Sequence, residues 1–314
     1  MRILLTGSSG WLGRFLAPRL RQEGHEVTGL DVASGADTDV IGSVADKALV
    51  ERLSSGIDAV IHAGALHKPD IVRYPGSAFH AVNVEGTRHL LAAAAAAGAD
   101  RFLFTSTTSL MISEEIRSGP KQRAVWLTED SPAAPRNVYG VTKLAAEGLC
   151  RRAHEETGLA VLILRTGRFF PEDDDTERDL TGENRKANEF LGRRLTVEDA
   201  AEAHVEALAK APALGFDTFL LAAPTPFVRA EREALVRDAP AVIARHFPDA
   251  PALYSARGWS LPAHVDRVYD PSRAERRLGF RCRTDFAAIL RAMARGEDLP
   301  FAHDPSYVSP KETV

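Results

Sequence analysis

The sequence predicts an α/β fold in which helices cover both faces of a doubly wound parallel sheet. Two observations lead to this prediction. Short aliphatic and β-branched runs alternate with helical patterns through the first half of the 314-residue chain, as in proteins whose buried parallel strands are joined by helices. The first of these runs also ends abruptly in TGSSGWLG, a glycine-rich turn of the kind that joins the first strand to the first helix in such sheets.

The predicted elements of the first half follow one another in alternation. The strands are Ile3–Leu5, Glu26–Leu30, Ala59–His62, Phe102–Phe104 and Val161–Leu164, and the helices are Gly13–Gln22, Ala45–Leu53, Val82–Ala97 and Val138–Thr157. Each strand is short and apolar, which is typical of a strand that is buried on both faces. The alanine run Ala92–Ala97 is interpreted as the closely packed end of a helix that stops at Gly98.

The pattern after Arg165 is less regular. Residues 169–188 look loop-like and contain the acidic run Glu172–Asp175, whose spacing does not match a calcium loop and which we expect to be solvated. A helix is predicted over Val197–Lys210 and a strand over Thr218–Ala222, and we expect this strand to return to the main sheet. We therefore predict a first domain over residues 1–168, joined by residues 194–223, and a smaller, irregular α/β lobe formed by residues 169–193 and 224–314.

The composition excludes several classes of protein. A formal net charge of −4 with 26% charged residues gives no sign of a nucleic-acid or membrane-surface partner, and no apolar run reaches the ~18 residues of a membrane span. Cys150 and Cys282 are far apart and are interpreted as ordinary free thiols. The histidines show no metal-ligand spacing with cysteines or acids, so we expect no metal site. The N-terminus shows no secretory pattern, and we expect a cytoplasmic protein.

The opening glycine turn predicts a dinucleotide site, and with it a Rossmann sheet. Gly7 permits the sharp turn, Gly10 lets a phosphate approach the main chain, and Gly13 lets the helix pack against the strand. The helix that follows presents free N–H groups to a pyrophosphate. Asp31 ends the second predicted strand, where an acid commonly binds the ribose diol and repels a 2′-phosphate, so the sequence favours NAD over NADP. Taken alone, such a turn is also compatible with a purely structural role.

A second constellation lies in NVYGVTK, which places Tyr139 and Lys143 four residues apart. On a helix these side chains share a face. An ordinary phenol is a poor base at neutral pH, but a nearby ammonium and an oxidised nicotinamide both favour the phenolate. Such a tyrosine can exchange a proton with a substrate hydroxyl while a hydride moves to or from the cofactor. The hydroxyl-rich run FTSTTS follows a predicted strand and is expected at the same edge of the sheet.

At this point the chain resembles the extended short-chain dehydrogenase/reductase family, the branch of NAD-dependent nucleotide-sugar epimerases and dehydratases. The resemblance covers most of the chain. The matching segments are TGSSGWLG, GLD, DAVIHAGAL, NVEGTRHLL, FTSTTS, LTEDSPAAPRNVYGVTK, LILRTGRFF, LTVEDAAEAH and VYDPSRAERRLGF.

The resemblance implies a role for each matching position. Tyr139 would be the acid/base, Lys143 would bind the nicotinamide ribose and lower the pKa of Tyr139, and Thr107 would hydrogen-bond the reacting oxygen. The positions implied to bind the cofactor are Gly7, Gly10, Trp11, Leu12, Gly13, Asp31, Ser43, Val44, Ala63, Gly64, Ala65, Asn83, Thr105, Tyr139 and Lys143.

The chain departs from the family pattern at several positions that are expected near the cofactor or the substrate. Ser43 stands where relatives often carry an aspartate beside the adenine, which would weaken that contact. Arg168 replaces an asparagine and is expected near the substrate, either as a clamp for a carboxylate or phosphate or in an ion pair with Glu172–Asp175. His67 follows the cofactor-lining turn and would contact cofactor or substrate, or else solvent.

The arginines that bind a nucleotide diphosphate in relatives have only loose counterparts here. Arg193 and Arg194 are close to the expected place but out of register, and Arg257 is a loose candidate for the second position. A smaller sugar, a sugar acid or another hydroxy or carbonyl compound therefore remains open as the substrate.

These observations predict an NAD-dependent oxidoreductase or epimerase acting on a sugar-like hydroxyl or carbonyl. A dehydratase is less favoured, because Thr108 and Ser109 occupy the place of an expected acid pair. The alternatives are an NADP-dependent reductase of small carbonyl compounds and a non-catalytic dinucleotide-binding protein. The resemblance also implies a homodimer formed through the helices predicted at Val82–Ala97 and Val138–Thr157.

Overall fold

The computed structural model describes residues 1–119, 121–171 and 182–301. Its strands are β1 (Arg2–Thr6), β2 (Glu26–Asp31), β3 (Val40–Ile41), β4 (Ala59–His62), β5 (Arg101–Thr107), β6 (Val125–Leu127), β7 (Ala160–Thr166), β8 (Phe216–Leu221) and β9 (Arg267–Tyr269). Its helices are α1 (Gly13–Gln22), α2 (Lys47–Leu53), α3 (Gly76–Phe79), α4 (Gly86–Ala96), α5 (Glu114–Ser118), α6 (Val138–Thr157), α7 (Gly182–Glu189), α8 (Val197–Leu214), α9 (Arg232–Arg237), α10 (Ala239–His246), α11 (Ala250–Ala256), α12 (Ser272–Leu278) and α13 (Phe286–Arg295).

Seven of the strands form one sheet in the order β3-β2-β1-β4-β5-β7-β8, and every pair in it is parallel. The predicted doubly wound α/β fold is therefore confirmed. The order runs outwards in both directions from β1 and β4, so the loops that follow these central strands open a crevice at the carboxyl edge of the sheet. Two further strands, β6 and β9, form a separate parallel pair.

The strands predicted in the first half lie where the sequence indicates, α2 begins two residues later than the predicted Ala45, and one helix differs more. The prediction for Val82–Ala97 is wrong at its start. The helical course already begins with α3 at Gly76 and passes through a π-helical segment, His80–Glu85, before it continues as α4. A π-helical segment carries an extra residue per turn, which shifts the apolar residues out of the 3.6-residue period from which the helix was predicted.

In the second half, the predicted strand lies in the main sheet as expected, whereas the predicted loop differs at its end. The strand predicted at Thr218–Ala222 is β8, which pairs with β7. The loop predicted up to residue 188 is wrong at its end, because α7 covers Gly182–Glu189. This helix carries almost no apolar residues, and several of its polar side chains are buried, so it lacks the hydrophobic period of an ordinary amphipathic helix. The acidic run Glu172–Asp175 lies outside the described residues.

The core consists of apolar layers on both faces of the main sheet and a separate cluster in the C-terminal part. One layer packs beneath α1 and α8, and the other packs beneath α2, α4 and α6. A third cluster gathers residues of α7, α9, α10, α11 and α13, and β9 contributes Val268 to it. This arrangement positions α7 and β9 beside the carboxyl edge of the sheet. No helix of the described residues combines the length and apolar character that crossing a membrane requires.

Candidate functional site

A cavity of about 830 Å³ opens at the carboxyl ends of the central strands. Thr6, Asp31 and Thr107 each end a strand of the main sheet and line it. α6, α7 and β9 also contribute to its walls. The cavity thus extends from the crevice of the sheet, where parallel α/β folds bind ligands, to the C-terminal cluster.

The glycine turn forms one end of the cavity, and its geometry explains two of its glycines. Gly7 has φ 77°, and a Cβ there would lie 2.6 Å from the Gly64 nitrogen. A Cβ on Gly13 would lie 2.2 Å from the Gly7 carbonyl oxygen, so only glycine lets α1 start this close to the turn. The main-chain N–H groups of Leu12 and Gly13 have no acceptor among the described residues. They provide the open helix N-terminus at which anions bind.

Asp31 lies at the end of β2, beside this turn. Its carboxylate accepts hydrogen bonds from the Ser9 nitrogen at 3.0 Å and the Ala33 nitrogen at 3.2 Å. Two N–H donors leave lone pairs of the carboxylate available, because a carboxylate can accept about four hydrogen bonds. Ser43 and Val44 line the same part of the cavity, and the Ser43 hydroxyl accepts a hydrogen bond from the Ala45 nitrogen at 3.2 Å.

A buried histidine supports the turn from behind. His62 is bonded to the Thr6 hydroxyl at 2.7 Å through Nδ1 and to the Thr87 hydroxyl at 3.1 Å through Nε2. Thr87 donates its proton to the Asn83 carbonyl at 2.7 Å, so it accepts from His62 Nε2. Nδ1 is then the acceptor for the Thr6 hydroxyl, which itself accepts from the Gly64 nitrogen at 3.1 Å. The network is satisfied only with a neutral His62, and burial lowers its pKa to about 3.

Asn83 continues this network to α6. Its side chain accepts from the Leu66 nitrogen at 2.9 Å and donates to the Leu66 carbonyl at 3.0 Å. The same amide donates to the Thr142 hydroxyl on α6 at 3.1 Å. Asn83 is buried and does not line the cavity. It fixes the loop after β4 relative to α6 instead of reaching towards a ligand.

Tyr139 lies in the first turn of α6, whose N-terminus is capped by Asn137 through a hydrogen bond from the Gly140 nitrogen. Burial raises the pKa of Tyr139 to about 12, the Thr107 side chain lowers it, and the negative charge of Asp70 raises it. The Tyr139 and Thr107 side chains both line the cavity. Lys143 is not among the groups that shift this pKa, although the resemblance implies that it is.

Lys143 is buried one turn further along α6. Its Nζ donates to the Thr105 carbonyl at 2.6 Å and lies 3.8 Å from the centre of the Phe104 ring. Burial lowers the pKa of Lys143 to about 7, although the charge of Glu147 opposes this shift. The hydroxyl of Thr105 is bonded to Nε2 of the buried His204 at 2.8 Å, which fixes the strand end to which Lys143 is attached.

A buried ion pair supports the strand end from the other side. Ser106 donates to the Glu147 carboxylate at 2.6 Å. Arg165 binds the same carboxylate through two nitrogens, at 3.0 and 2.7 Å. Because a bidentate pair fixes both partners in orientation, this ion pair holds Ser106 and the end of β5 in place.

The arginines near the substrate end converge on one carboxylate, Glu189 of α7. Arg193 and Arg194 lie 2.8 and 2.7 Å from it, and Arg168 Nε lies 3.7 Å from it. Burial alone would raise the pKa of Glu189, but the three positive charges outweigh burial and lower it. Arg168 lines the cavity as expected, with a described partner that the sequence did not indicate. The alternative pairing with Glu172–Asp175 lies outside the described residues.

Two other predicted residues have distinct surroundings. His67 lines the cavity with its ring 5.7 Å from that of Tyr139 and 5.9 Å from that of Phe170, measured between centroids. Arg257, the loose candidate for a diphosphate clamp, ends α11 with its guanidinium 5.4 Å from the centre of the Trp259 ring. It does not line the cavity, so the structure contradicts that expectation.

The predicted cofactor and catalytic positions otherwise come together. All of them line the cavity except Gly13 and Asn83, which act through packing and hydrogen bonding behind it. Sequence reasoning missed Asp70, Asn188, Arg267 and Tyr269, which also line it. Asp70 follows His67 by three residues and accepts from its nitrogen at 2.6 Å. Asn188, Arg267 and Tyr269 belong to α7 and β9, two elements that the sequence pattern did not reveal.

The residues present fit an NAD molecule. The open N–H groups of Leu12 and Gly13 suit a pyrophosphate, and the carboxylate of Asp31 suits a ribose diol. The cavity then continues past Gly64 to Tyr139 and Lys143. Within the described ranges, no group of three or more His, Cys, Asp or Glu side chains is arranged to hold a metal ion.

Comparisons with known proteins agree with this geometry. Residues 3–216 match the model of the NAD dependent epimerase/dehydratase family. A uronate dehydrogenase of Pseudomonas syringae pv. tomato is 29% identical over 177 residues, which cover 54% of this chain and 60% of that protein. A UDP-glucose 4-epimerase of Azospirillum brasilense is 30% identical over 175 residues, which cover 52% of this chain and 48% of that protein. The chain thus spans about half the length of these curated relatives.

Solved structures extend the likeness over nearly the whole chain. A short-chain dehydrogenase/reductase superfamily protein from Agrobacterium tumefaciens, solved with bound NAD, is 26% identical, with a TM-score of 0.66. The match covers 94% of this chain and 96% of that one. The fold of the chain is therefore shared with proteins of this group beyond the segment that the family model covers.

Proposed function

Because the chain belongs to the NAD dependent epimerase/dehydratase family, we propose that it is an NAD-dependent oxidoreductase that moves a hydride to or from a sugar-like hydroxyl or carbonyl group. The proposal rests on one observation above all. A buried phenol and a buried amine, Tyr139 and Lys143, lie one helical turn apart and line the same cavity as the glycine turn and Asp31.

The cofactor end supports NAD as the dinucleotide. The N-terminus of α1 would bind the pyrophosphate, and Asp31 would bind the adenosine ribose and repel the 2′-phosphate of NADP. When bound, the nicotinamide ring supplies or accepts the hydride. The loop after β4, with Ala63, Gly64 and Ala65, would line the cofactor, and Asn83 would keep that loop in place through Leu66.

Tyr139 would donate a proton to the substrate oxygen in reduction and accept it in oxidation. Tyr139 and Thr107 line the same cavity, so their two hydroxyl groups would hold one substrate oxygen between them. With a pKa raised to about 12, the phenol is protonated at neutral pH and is ready to act as the acid when a carbonyl is reduced. To act as the base in oxidation it needs positive charge nearby. A protonated Lys143 and an oxidised nicotinamide would both favour the phenolate.

The described geometry gives less support to dehydration. Thr108 and Ser109, which stand at the positions of an expected acid pair, follow Thr107 in a short 3₁₀ turn, and the Ser109 hydroxyl is bonded to that of Thr107 at 3.0 Å. No carboxylate is supplied there for removal of a proton from carbon. Net oxidation and epimerisation share the remaining steps and differ in whether the keto product leaves. Accumulation of NADH indicates the former, and turnover without net NADH indicates the latter.

The decisive variant is Tyr139→Phe. We expect it to bind NADH as the wild type does, seen by NADH fluorescence, while turnover of an active sugar falls by roughly 10²- to 10⁴-fold, as when general acid/base catalysis is removed. The assay follows the absorbance of NADH or NADPH, and the formation of an epimer by chromatography, over a panel of free sugars, uronates, UDP-sugars and small carbonyl compounds. Tyr74→Phe, at an exposed tyrosine outside the cavity, is the matched control. Wild-type turnover in Tyr139→Phe would reject the assigned role.

The same experiments separate the alternatives. A non-catalytic dinucleotide-binding protein would bind NADH and turn over no member of the panel, and a reductase of small carbonyl compounds would prefer NADPH. Three further expectations stay predictions: the homodimer formed through Val82–Ala97 and Val138–Thr157, the cytoplasmic location, and the assignment of residues 169–193 and 224–314 to a substrate-binding lobe.

A further inference from the structure

One strand of the second, two-stranded sheet, β9, lines the cavity. Along β9, Arg267 and Tyr269 line the cavity, whereas Val268 between them is buried in the C-terminal apolar cluster. Because successive side chains of a strand point to opposite faces, Arg267 and Tyr269 project together from the cavity face. The wall of the cavity formed by β9 therefore carries the guanidinium group of Arg267.

This guanidinium group is incompletely satisfied. Arg267 Nε is buried and has no hydrogen-bond partner within residues 1–119, 121–171 and 182–301. The carboxylate next to it in sequence, Asp266, is paired with Lys121 at 3.2 Å. A buried donor on a charged group without an acceptor is unfavourable, and such groups are normally satisfied by protein, water or ligand. An acceptor that enters the cavity would complete it.

An unsatisfied acceptor lies on the neighbouring element. The Oδ1 atom of Asn188, in α7, is buried without a hydrogen-bond partner in the described chain, and Asn188 also lines the cavity. Its Nδ2 atom is held by the Ser260 carbonyl at 3.1 Å, which fixes the amide orientation. The chain just after α7 is joined to β9, because the Tyr269 nitrogen donates to the Gly192 carbonyl at 2.8 Å. A cationic donor and a neutral acceptor thus come from adjoining segments.

We propose that Arg267 binds an anionic substituent of the substrate, and that Asn188 Oδ1 accepts a hydrogen bond from a hydroxyl group of the same molecule. The ligand class is an acidic sugar, which carries a carboxylate or a phosphoryl group together with free hydroxyls. This inference rests on the proposed function, since Tyr139 on α6 would react with a different hydroxyl of the bound sugar. Arginine suits this role because its planar donors match the oxygens of a carboxylate or phosphate.

The test measures binding without turnover. The Tyr139→Phe variant is loaded with NAD, and binding of D-glucuronate, D-glucose 6-phosphate and UDP-glucose is compared with that of neutral D-glucose by calorimetry. We expect at least one acidic probe to bind more tightly than D-glucose. Adding Arg267→Met should weaken that probe roughly 10- to 100-fold, the effect of losing hydrogen bonds to a charged group, and should leave D-glucose unchanged. The probe that responds identifies the anion as a carboxylate, a monophosphate or a diphosphate.

Two further variants make the result specific. Arg267→Lys keeps the charge but loses the fork of donors, so we expect a smaller loss than in Arg267→Met. Arg257→Met, at the arginine that does not line the cavity, is the matched control and should bind every probe as the background variant does. Unfolding temperatures show whether each variant is folded before its binding is interpreted.

The results that would refute the anion site differ from those that would refute the proposed function. If no acidic probe binds more tightly than D-glucose, or if Arg267→Met leaves the acidic probe unaffected, the anion site is refuted while the oxidoreductase assignment stands. If Tyr139→Phe retains wild-type turnover, the proposed function is refuted whatever the binding data show. A uniform loss of affinity for all probes, D-glucose included, also overturns the proposal, because it indicates a structural role for Arg267.

Discussion

The two histidines buried behind the site predict that acid destabilises the protein by a definite amount. His62 is held neutral between Thr6 and Thr87, and His204 donates from Nδ1 to the Ala200 carbonyl at 2.7 Å, so its Nε2 accepts from Thr105. Burial lowers the pKa of His62 to about 3, with a smaller contribution from the charge of Lys143. Burial also lowers the pKa of His204 to about 4, against the hydrogen bond to Ala200.

The sign and size of the effect follow from proton linkage. Both pKa values are lower in the folded protein than the value of about 6.5 expected after unfolding. Their contribution to stability is therefore complete above about pH 6.5 and is lost as the pH falls towards the folded values. At about 1.4 kcal/mol per pH unit, moving from pH 6.5 to about 5 costs roughly 2 kcal/mol for each histidine. The pair then accounts for roughly 4 kcal/mol, a large part of an ordinary domain's stability of about 5–15 kcal/mol.

Urea unfolding at about pH 7.5 and about pH 5 measures this loss of stability. His204→Gln is expected to be less stable than the wild type at the higher pH, because its bond to Thr105 is altered. The difference in the free energy of unfolding between wild type and His204→Gln should narrow by roughly 2 kcal/mol at the lower pH, because the variant has lost one titrating group. His80→Gln, at an exposed histidine, controls for the general effect of the substitution. A gap that is the same at both pH values would refute the assignment of a neutral, buried His204.

Two further predictions concern the cofactor end. Gly13→Ala places a Cβ 2.2 Å from the Gly7 carbonyl, so α1 must move away from the turn and NADH should bind at least roughly 10-fold more weakly in a fluorescence titration, as expected for displaced phosphate contacts. Gly148→Ala meets no atom within 4 Å and should leave binding intact; equal effects of the two would contradict the role of Gly13. Asp31→Asn removes the charge that repels a 2′-phosphate, so the ratio of kcat/KM for NAD over NADP should fall at least roughly 10-fold. A wild type that prefers NADP would contradict this use of Asp31.

The cofactor half could be predicted from sequence because its determinants are local. Each strand that carries it is a short apolar run, and the glycine turn fixes its own geometry within a few residues. The distance of 2.2 Å between a Cβ on residue 13 and the Gly7 carbonyl oxygen depends only on the segment Gly7–Gly13. The spacing of Tyr139 and Lys143 likewise depends on one helix. Where a pattern of this kind is read on a continuous element, backbone geometry alone determines which side chains share a face.

The elements that the sequence did not reveal lack such local signals. β3 has only two residues, Val40–Ile41, and β9 has three, so neither shows a period. α7 is stabilised by ion pairs and by Asn184, which exchanges hydrogen bonds with Ser260, a residue distant in sequence. Such contacts depend on the tertiary structure, and intrinsic propensity is only a weak guide where tertiary contacts decide.

The arginines show why the residues that would bind the substrate are also difficult to predict from sequence. The sequence draws attention to Arg193 and Arg194, because two adjacent positive charges near the expected clamp suggest an anion site. Glu189 precedes them by about one turn, and in the structure its buried carboxylate takes up hydrogen bonds from both. Their charge is therefore partly used within the protein. Arg267 directly precedes the matching segment VYDPSRAERRLGF and no pattern singles it out, yet its buried Nε has no acceptor in the described chain. The capacity to bind an anion depends on which charges the fold already neutralises, and only three-dimensional contacts reveal that.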